Sequence, residues 1–535
     1  MKWFWGDIMK DFKNMRELIE VSEERFGERV AFKIKNKGQK GEDKYTDITY
    51  SILKSNMERL GSYLIDMGLQ GKRVAVIGRN CYEWVLVYLS VLSINGVIVP
   101  LDCGLFETEI KEQLERAEAD AIFYTEMFDE ALKDKDDIIK VRMDLDEFKS
   151  IRTSYKINPE YYNIDIDPEK MSILLFTSGT TSKSKAVMLC QKNIVSNVKA
   201  MLIWEDFNET DINMAFLPLH HTFGLVQVVL FLAFGMCNVF CEGLRIAKCL
   251  KEYKVTVLVV VPRIIEEIQL SVYKLLKKEN KLKTVETAIK VSNFLRKFGI
   301  DIRRKLFKQI IDGLGGGLHT IIVGAAAAKP DTLNWFNDIG ILTIQGYGLT
   351  ETSPVISAEN EKNMSLGSVG KALPGVDVKI CNKDEDGIGE IAAKGENVML
   401  GYYKNEAENP IKDGYLYTGD MGYMDKKGFI YITGRKKNVI VLNNGKNVFP
   451  EELEALLSDC DAIKECIVLN KKHGDRDCIH AKIVYDTELE KEVAEEKIKV
   501  FIDELNERLI NYKRIKSFDL QENEMEKTTT LKIKR

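Results

Sequence analysis

Helix-like and strand-like segments alternate along the first third of this chain, with glycine or proline at most joints. That alternation constrains the fold more than any other feature. Residues 49–68, TYSILKSNMERLGSYLIDMG, place apolar side chains at helical spacing and stop at Gly68. KRVAVIG (72–78) is a short β-branched run ending in glycine, and EWVLVYLSVLSING (83–96) is helical again. VIVPLD (97–102), EIKEQLERAEA (109–119) and DAIFYT (120–125) continue as strand, helix and strand. Later runs VTVLVVV (255–261), HTIIVGA (319–325) and ILTIQGYG (341–348) read as further strands. Strands separated by helices predict α/β layers around a largely parallel sheet.

The texture changes after about residue 365. VDVKICNKDEDGIGEIAAKG (376–395) and YLYTGDMGYMDKKGFIYITGR (415–435) are short strands broken by DEDG and MDKKG turns, which predicts hairpins in a small β-rich subdomain. From about 436 the chain has its own helix (PEELEALLSD), two strands (IKECIVL, IHAKIVYD) and a charged helix (EEKIKVFIDELNERL). The expected organisation is α/β. A large N-terminal domain, 1–434, has layered α/β subdomains and the β-rich subdomain at about 365–434. A small, separate α+β domain, 435–535, follows it. At 535 residues the chain is too long for one core.

Composition excludes several classes. Apolar residues make up 45% and charged residues 30%, an ordinary soluble balance. The net charge of -5 argues against nucleic acid as the main partner. Ten cysteines include no CxxC pair. The nearest two, Cys237 and Cys241, lie beside an apolar run with no His or Asp at metal spacing. The scattered cysteines read as reduced, buried thiols of a cytosolic protein, with a structural zinc site the less favoured alternative. MKWFWGDIMKDF carries Asp7 and Asp11 and no apolar core, so it does not read as a secretory signal. Residues 224–241 approach the length of a membrane span but contain Gln227, Gly235 and Asn238, so they read as buried core. Trp3, Phe4, Trp5 and Phe12 form either a weak interfacial anchor or a segment packed on the body, and packing is the favoured reading.

The strongest chemical signal is LLFTSGTTSKSKAV (174–187). A hydrophobic strand enters a loop of Thr177, Ser178, Gly179, Thr180, Thr181 and Ser182, followed by Lys183 and Lys185. Backbone N–H groups freed by glycine, hydroxyls and lysines can surround an anion. The loop is physically a phosphate cradle, though not a Walker A sequence. Taken alone, a Ser/Thr surface loop is nearly as good a reading.

It is followed, in order, by QGYGLTETSP (345–354), YTGD (417–420), GRKKN (434–438) and KTTTLKIKR (527–535). This ordered set resembles the adenylate-forming superfamily, which includes acyl-CoA synthetases, peptide-synthetase adenylation domains and firefly luciferase. The resemblance runs from FGERVAF (26–32) to the last residue. It implies roles for individual residues. Thr177, Ser178, Gly179, Thr180, Thr181 and Lys185 hold ATP phosphates, and Thr350 contacts phosphate beside Glu351, the magnesium ligand. Gln345, Gly346, Tyr347 and Gly348 line the nucleotide site, with Tyr347 stacking on adenine and Gly324, Ala325 and Ala326 as the other wall. Asp420 accepts from the ribose hydroxyls and Arg435 reaches ribose or phosphate. Lys532 bridges the substrate carboxylate and α-phosphate, and Lys437 is the hinge about which the C-terminal domain turns. Each has a plainer alternative: a dipole-stabilised Glu351, a turn-capping Asp420, a solvated tail Lys532.

The sequence departs from the family pattern at Ser182, Ser184 and Ala186, where Gly, Pro and Gly are usual. It departs again at Leu531, where a glycine normally precedes the catalytic lysine. PLHHTFGL (218–225) resembles the segment bordering the acyl pocket, with His221 near the substrate carboxylate; two backbone-bonded loop histidines, His220 and His221, are the plainer reading. The texture is closest to bacterial long-chain fatty-acid CoA ligases. The resemblance thus implies ATP, Mg2+ and coenzyme A, a fatty-acid substrate, and a cytoplasmic protein with a peripheral contact on the inner membrane face left open. A ligase loading an acyl carrier protein, an aryl-acid ligase and a non-catalytic nucleotide binder are the rivals.

Overall fold

The computed structural model describes residues 12–36, 44–177, 184–241, 245–442, 446–473, 476–527 and 533. The chain divides into two compact units. The first comprises 1–366, 370–377 and 394–409; the second comprises 367–369, 378–393 and 410–535.

The first unit holds two large sheets. Six strands of the nine-stranded sheet run parallel: Val30–Asn36, Cys237–Phe240, Ile212–Ala215, Val257–Val260, Thr320–Val323 and Leu342–Gly348. Lys44–Thr49, Val355–Ala358 and Lys371–Ala372 add antiparallel edges. In the seven-stranded sheet Ile139–Arg142, Ala121–Tyr124, Arg73–Ile77, Val97–Pro100 and Met171–Thr177 are parallel. Lys185–Cys190 and Gly401–Tyr402 close that sheet antiparallel. Interior parallel strands are covered on both faces, which is why they read as unbroken β-branched runs.

Two helices are apolar on every side and buried accordingly. Tyr82–Ser93 buries eleven of its twelve residues, and Thr222–Ala233 is buried along nearly its full length. Both pack on the helix Met15–Phe26. The uncharged run 224–241 is therefore a core helix followed by the strand Cys237–Phe240. Phe12 is buried beneath Lys199, so packing is the outcome there; Trp3, Phe4 and Trp5 lie outside the described residues. Among the described residues no helix is long and apolar enough to cross a membrane. All ten cysteines are free. Five are partly exposed rather than buried, and the Cys241 and Cys249 sulfurs lie 2.7 Å apart.

The second unit contains a five-stranded sheet whose longest strands, Tyr415–Met424 and Ile430–Arg435, form a hairpin around Asp425–Gly428. It also contains a three-stranded sheet, Ile463–His473, Arg476–Tyr485 and Ser517–Gln521. The helix Lys491–Arg508 buries Ala494, Ile498 and Ile502, a stripe at i, i+4 and i+8, against that sheet. Pro450 begins the helix Pro450–Leu457, where its missing N–H costs no hydrogen bond, with Glu451 and Glu452 in the first turn favoured by the helix dipole.

Candidate active site

In the first unit, the hairpin Met171–Thr177 and Lys185–Cys190 sets Thr177 opposite Lys185. The Thr177 hydroxyl donates to the Lys185 carbonyl at 3.4 Å. Ser178, Gly179, Thr180, Thr181, Ser182 and Lys183 lie outside the described residues. The loop's exit is held by Arg116, whose guanidinium donates to the Ser184 hydroxyl at 3.1 Å and its carbonyl at 2.7 Å. The same guanidinium reaches Glu406 at 2.6 Å and stacks 5.0 Å from the Phe176 ring. Nothing in the motif pointed to Arg116. It comes from the helix Glu107–Ala117, 68 residues earlier, and only tertiary structure brings it to the loop.

The strand Gly401–Tyr402 pairs beside this hairpin, Tyr402 opposite Val187. Its ring carries the Lys185 ammonium 4.9 Å from the centroid, and its hydroxyl donates to Glu351 Oε1 at 2.9 Å. Burial, then the adjacent Glu351 carboxylate, push the Tyr402 hydroxyl well above its usual pKa, so it remains a donor. Lys185, Tyr402 and Glu351 therefore form one connected cluster. Tyr402 is the second residue that sequence reading missed.

Glu351 sits on a short 3-10 turn, Thr350–Thr352, between the strands Leu342–Gly348 and Val355–Ala358. Thr352 is fully buried and locks the turn: its hydroxyl donates to the Pro354 carbonyl at 2.8 Å and accepts from the Leu349 N–H at 3.0 Å. Thr350 and Glu351 are left partly exposed. Gly348 is required because a Cβ there would lie 1.7 Å from the Pro354 carbonyl oxygen. Gly346 and Tyr347 pair with Ala358 and Ser357, and Tyr347 is largely buried. Gln345 is buried, and its N–H donates to Glu359 at 3.2 Å.

Gly324, Ala325 and Ala326 follow the strand Thr320–Val323, with Ala325 in the left-handed region at φ 69°. The Phe223 ring lies so close to Gly324 that a Cβ would meet it at 2.7 Å. Phe223 is two residues from His221, so this packing joins the 218–225 segment to the 324–326 wall. Asn80 staples that segment, donating to the Leu217 carbonyl at 2.7 Å and accepting from the Leu219 N–H at 3.2 Å. His221 precedes the buried helix Thr222–Ala233, its ring 4.2 Å from that of His220. His220 in turn approaches Asp102 at 3.3 Å. These three side chains bring their ligand atoms within 4.8 Å of one another.

In the second unit, Asp420 and Arg435 face each other across the hairpin and pair at 2.7 Å. Asp420 is almost fully buried while Arg435 is over a third exposed. Buried carboxylates need such a partner or a ligand's donors. Lys437 lies in the short turn Lys436–Asn438 directly after Arg435. Flanking anchors fix this turn: Lys436 pairs with buried Glu390 at 2.6 Å, and Asn438 donates to Glu451 at 2.6 Å. Leu531 and Lys532 lie outside the described residues, as do Asn443 to Gly445.

Residues 19–403 match the AMP-binding enzyme family. The Arabidopsis thaliana peroxisomal long chain acyl-CoA synthetase 6 is 27% identical over 466 residues, 79% of this chain and 66% of that protein. The chain thus spans about two thirds of that relative's length. The Bacillus subtilis long-chain-fatty-acid--CoA ligase is 28% identical over 508 residues, 85% of this chain and 82% of that protein. Among solved structures, O-succinylbenzoate coenzyme A synthetase from Bacillus subtilis, in complex with ATP and magnesium ion, superposes with a TM-score of 0.73 at 21% identity, covering 97% of this chain and 98% of that one. That likeness bears on the fold.

Proposed function

The chain belongs to the AMP-binding enzyme family, and on that premise we propose that it is an ATP-dependent acid:CoA ligase activating a long-chain fatty acid. The observation that carries the reading is the Lys185–Tyr402–Glu351 cluster, whose Lys185 ends the 177–185 motif. It offers a cation and a hard carboxylate oxygen where a nucleotide's phosphates would need both. Among the described residues the Glu351 carboxylate accepts one hydrogen bond, at Oε1, and its other oxygen would suit magnesium. Magnesium, when bound there, neutralises phosphate charge. The long-chain preference rests on the two ligases at 27% and 28% identity.

The first step joins two anions. A carboxyl group with a pKa near roughly 4 is ionised at neutral pH, so no general base is required. The carboxylate oxygen attacks the α-phosphorus, the bond to the β-phosphate oxygen breaks, and pyrophosphate leaves. The residues' task is to offset repulsion and hold the line of attack. In this reading Lys185 and the 177–183 loop hold the phosphates, Arg116 fixes the loop's exit, and Thr350 orients phosphate beside Glu351. Tyr347, Gln345, Gly346, Gly348 and Gly324–Ala326 take the adenine, Asp420 and Arg435 the ribose, and His221 the acid. Lys532 bridges carboxylate and α-phosphate. In the second step the CoA thiol attacks the acyl carbonyl, loses its proton, and AMP departs. The C-terminal residues turn about Lys437 between the steps.

The test is pyrophosphate release from Mg-ATP with a panel of fatty and aryl acids, with and without CoA. Release that depends on long-chain acid, with thioester formed once CoA is added, is the expected result. Lys532→Ala abolishes release but still forms thioester from preformed acyl-adenylate. Release without CoA thioester would move the reading to carrier-protein loading. Preference for aryl acids would overturn the substrate class, and nucleotide binding without any release would overturn the enzyme.

A further inference from the structure

The helix Pro262–Lys278 is anchored: Ile264, Ile265 and Leu276 are buried, and Ile268, Val272 and Tyr273 pack on the core. The helix Leu282–Arg296 that follows is different. Only Ser292 is fully buried in it, while Val285, Ala288 and Ile289 touch the core. Its outer side presents Val291 and Phe294, continued by Phe298, Ile300 and Leu306. Phe294 is 59% and Phe298 67% exposed, their rings 5.2 Å apart edge to face. Beside them is a groove of about 520 Å³ lined mainly by Thr287, Ala288, Val291, Ile302 and Leu306. Isolated exposed apolar residues are ordinary, but a contiguous patch with an aromatic pair marks a contact surface.

The charge around the patch selects the partner. Residues 262–308 contain thirteen Lys and Arg against five Asp and Glu, a local net charge of +8 in a chain of net charge -5. Lys283, Lys290, Arg296, Lys297, Arg304 and Lys305 are all exposed around the apolar strip. A basic helix with an apolar aromatic side matches an interface of acyl chains beneath anionic headgroups. We propose that the outer face of 282–306 docks on an anionic phospholipid bilayer, Phe294 and Phe298 entering the headgroup boundary and the surrounding lysines and arginines pairing with lipid phosphates. The surface stands apart from the substrate assignment, and vesicle binding reads it without turnover.

The full chain is floated with vesicles of phosphatidylcholine alone and of phosphatidylcholine containing phosphatidylglycerol, at low and raised salt. Binding to the anionic vesicles only, weakening as salt rises, is expected. Each basic residue contributes roughly fivefold. The triple variant Lys290→Gln, Arg296→Gln, Lys297→Gln should therefore lose about 100-fold in partitioning. Phe294→Ser with Phe298→Ser should lose at least about tenfold, at unchanged Tm and circular dichroism. Equal binding to neutral vesicles, no binding, or variants that bind like the parent would overturn the proposal. So would a concentration-dependent dimer in sedimentation velocity that the two Phe→Ser changes abolish while vesicles are ignored, since the face would then meet a second copy of this chain.

Discussion

The most sharply specified position in the candidate site is Gly348, and Gly348→Ala isolates it. The added Cβ would stand 1.7 Å from the Pro354 carbonyl oxygen, 2.8 Å from its carbon and 3.0 Å from the Val355 Cα, all backbone atoms. Real Cβ contacts do not fall below 3.0 Å, so the carbonyl must retreat by roughly 1.3 Å. That oxygen accepts from the Leu349 N–H at 2.9 Å and the Thr352 hydroxyl at 2.8 Å, so the retreat weakens both bonds of the turn. Overpacking at about 1–3 kcal/mol and two hydrogen bonds at about 0.5–1.5 kcal/mol each give a local cost of roughly 2–6 kcal/mol. The turn carries Thr350 and Glu351, and a displacement of about 1 Å in positioned groups costs on the order of 100-fold in rate. Acid-dependent pyrophosphate release should fall by that order, with Tm lowered by several degrees. Gly346→Ala is the folding control two residues away, because its Cβ meets nothing nearer than the Ser357 oxygen at 3.7 Å. It should keep the parent's Tm. A Gly348→Ala protein with the parent's Tm and kcat/KM would refute the argument that this glycine sets the turn.

Two further outcomes rest on single contacts and a third on burial. Tyr402→Phe removes the 2.9 Å donor to Glu351 while keeping the ring under Lys185; hydrogen bonds to charged groups are worth about 1.5–3 kcal/mol, so the magnesium concentration for half-maximal rate should rise roughly tenfold. Arg116→Ala should raise the KM for ATP while leaving that for the acid unchanged, and Arg116→Lys should not restore it, since one ammonium cannot reach the Ser184 carbonyl, its hydroxyl and Glu406 together. Burial pushes the Glu205 carboxyl up to about 8 from the ordinary 4.5. Its folded value is raised, so its contribution to stability is full below about pH 4.5 and is lost as pH rises through 8. Glu205→Gln should therefore match the parent's Tm at pH 4 and exceed it at pH 9, and equal Tm values at pH 9 would refute the shift.

How much was legible in the sequence depends on the range of the forces involved. Strands such as Val257–Val260 and helices such as Tyr82–Ser93 were readable because periodicity and β-branching act locally. The uncharged run 224–241 could be placed in the core, but not divided: its break into helix and strand comes at Gly235, whose φ of 80° ends the helix with Phe26 packed against it. The motif residues Thr350 and Glu351 were named in sequence because they stand side by side in a short signature. Arg116 and Tyr402 were not, because each reaches the loop from a distant element and looks in sequence like an ordinary helix cation and an ordinary strand aromatic. Their positions are consequences of sheet order: Gly401–Tyr402 pairs with Lys185–Cys190 only because the chain returns to that edge more than 200 residues later. In the proposed site, short motifs thus carry most of the groups assigned to a ligand, whereas Arg116 and Tyr402, which brace them, come from distant elements. Gly348 and Thr352 depart from that division: each lies inside a motif and carries a structural duty. Their neighbour Glu351 can present a carboxylate outward only while Thr352 and the Pro354 carbonyl hold the turn from within.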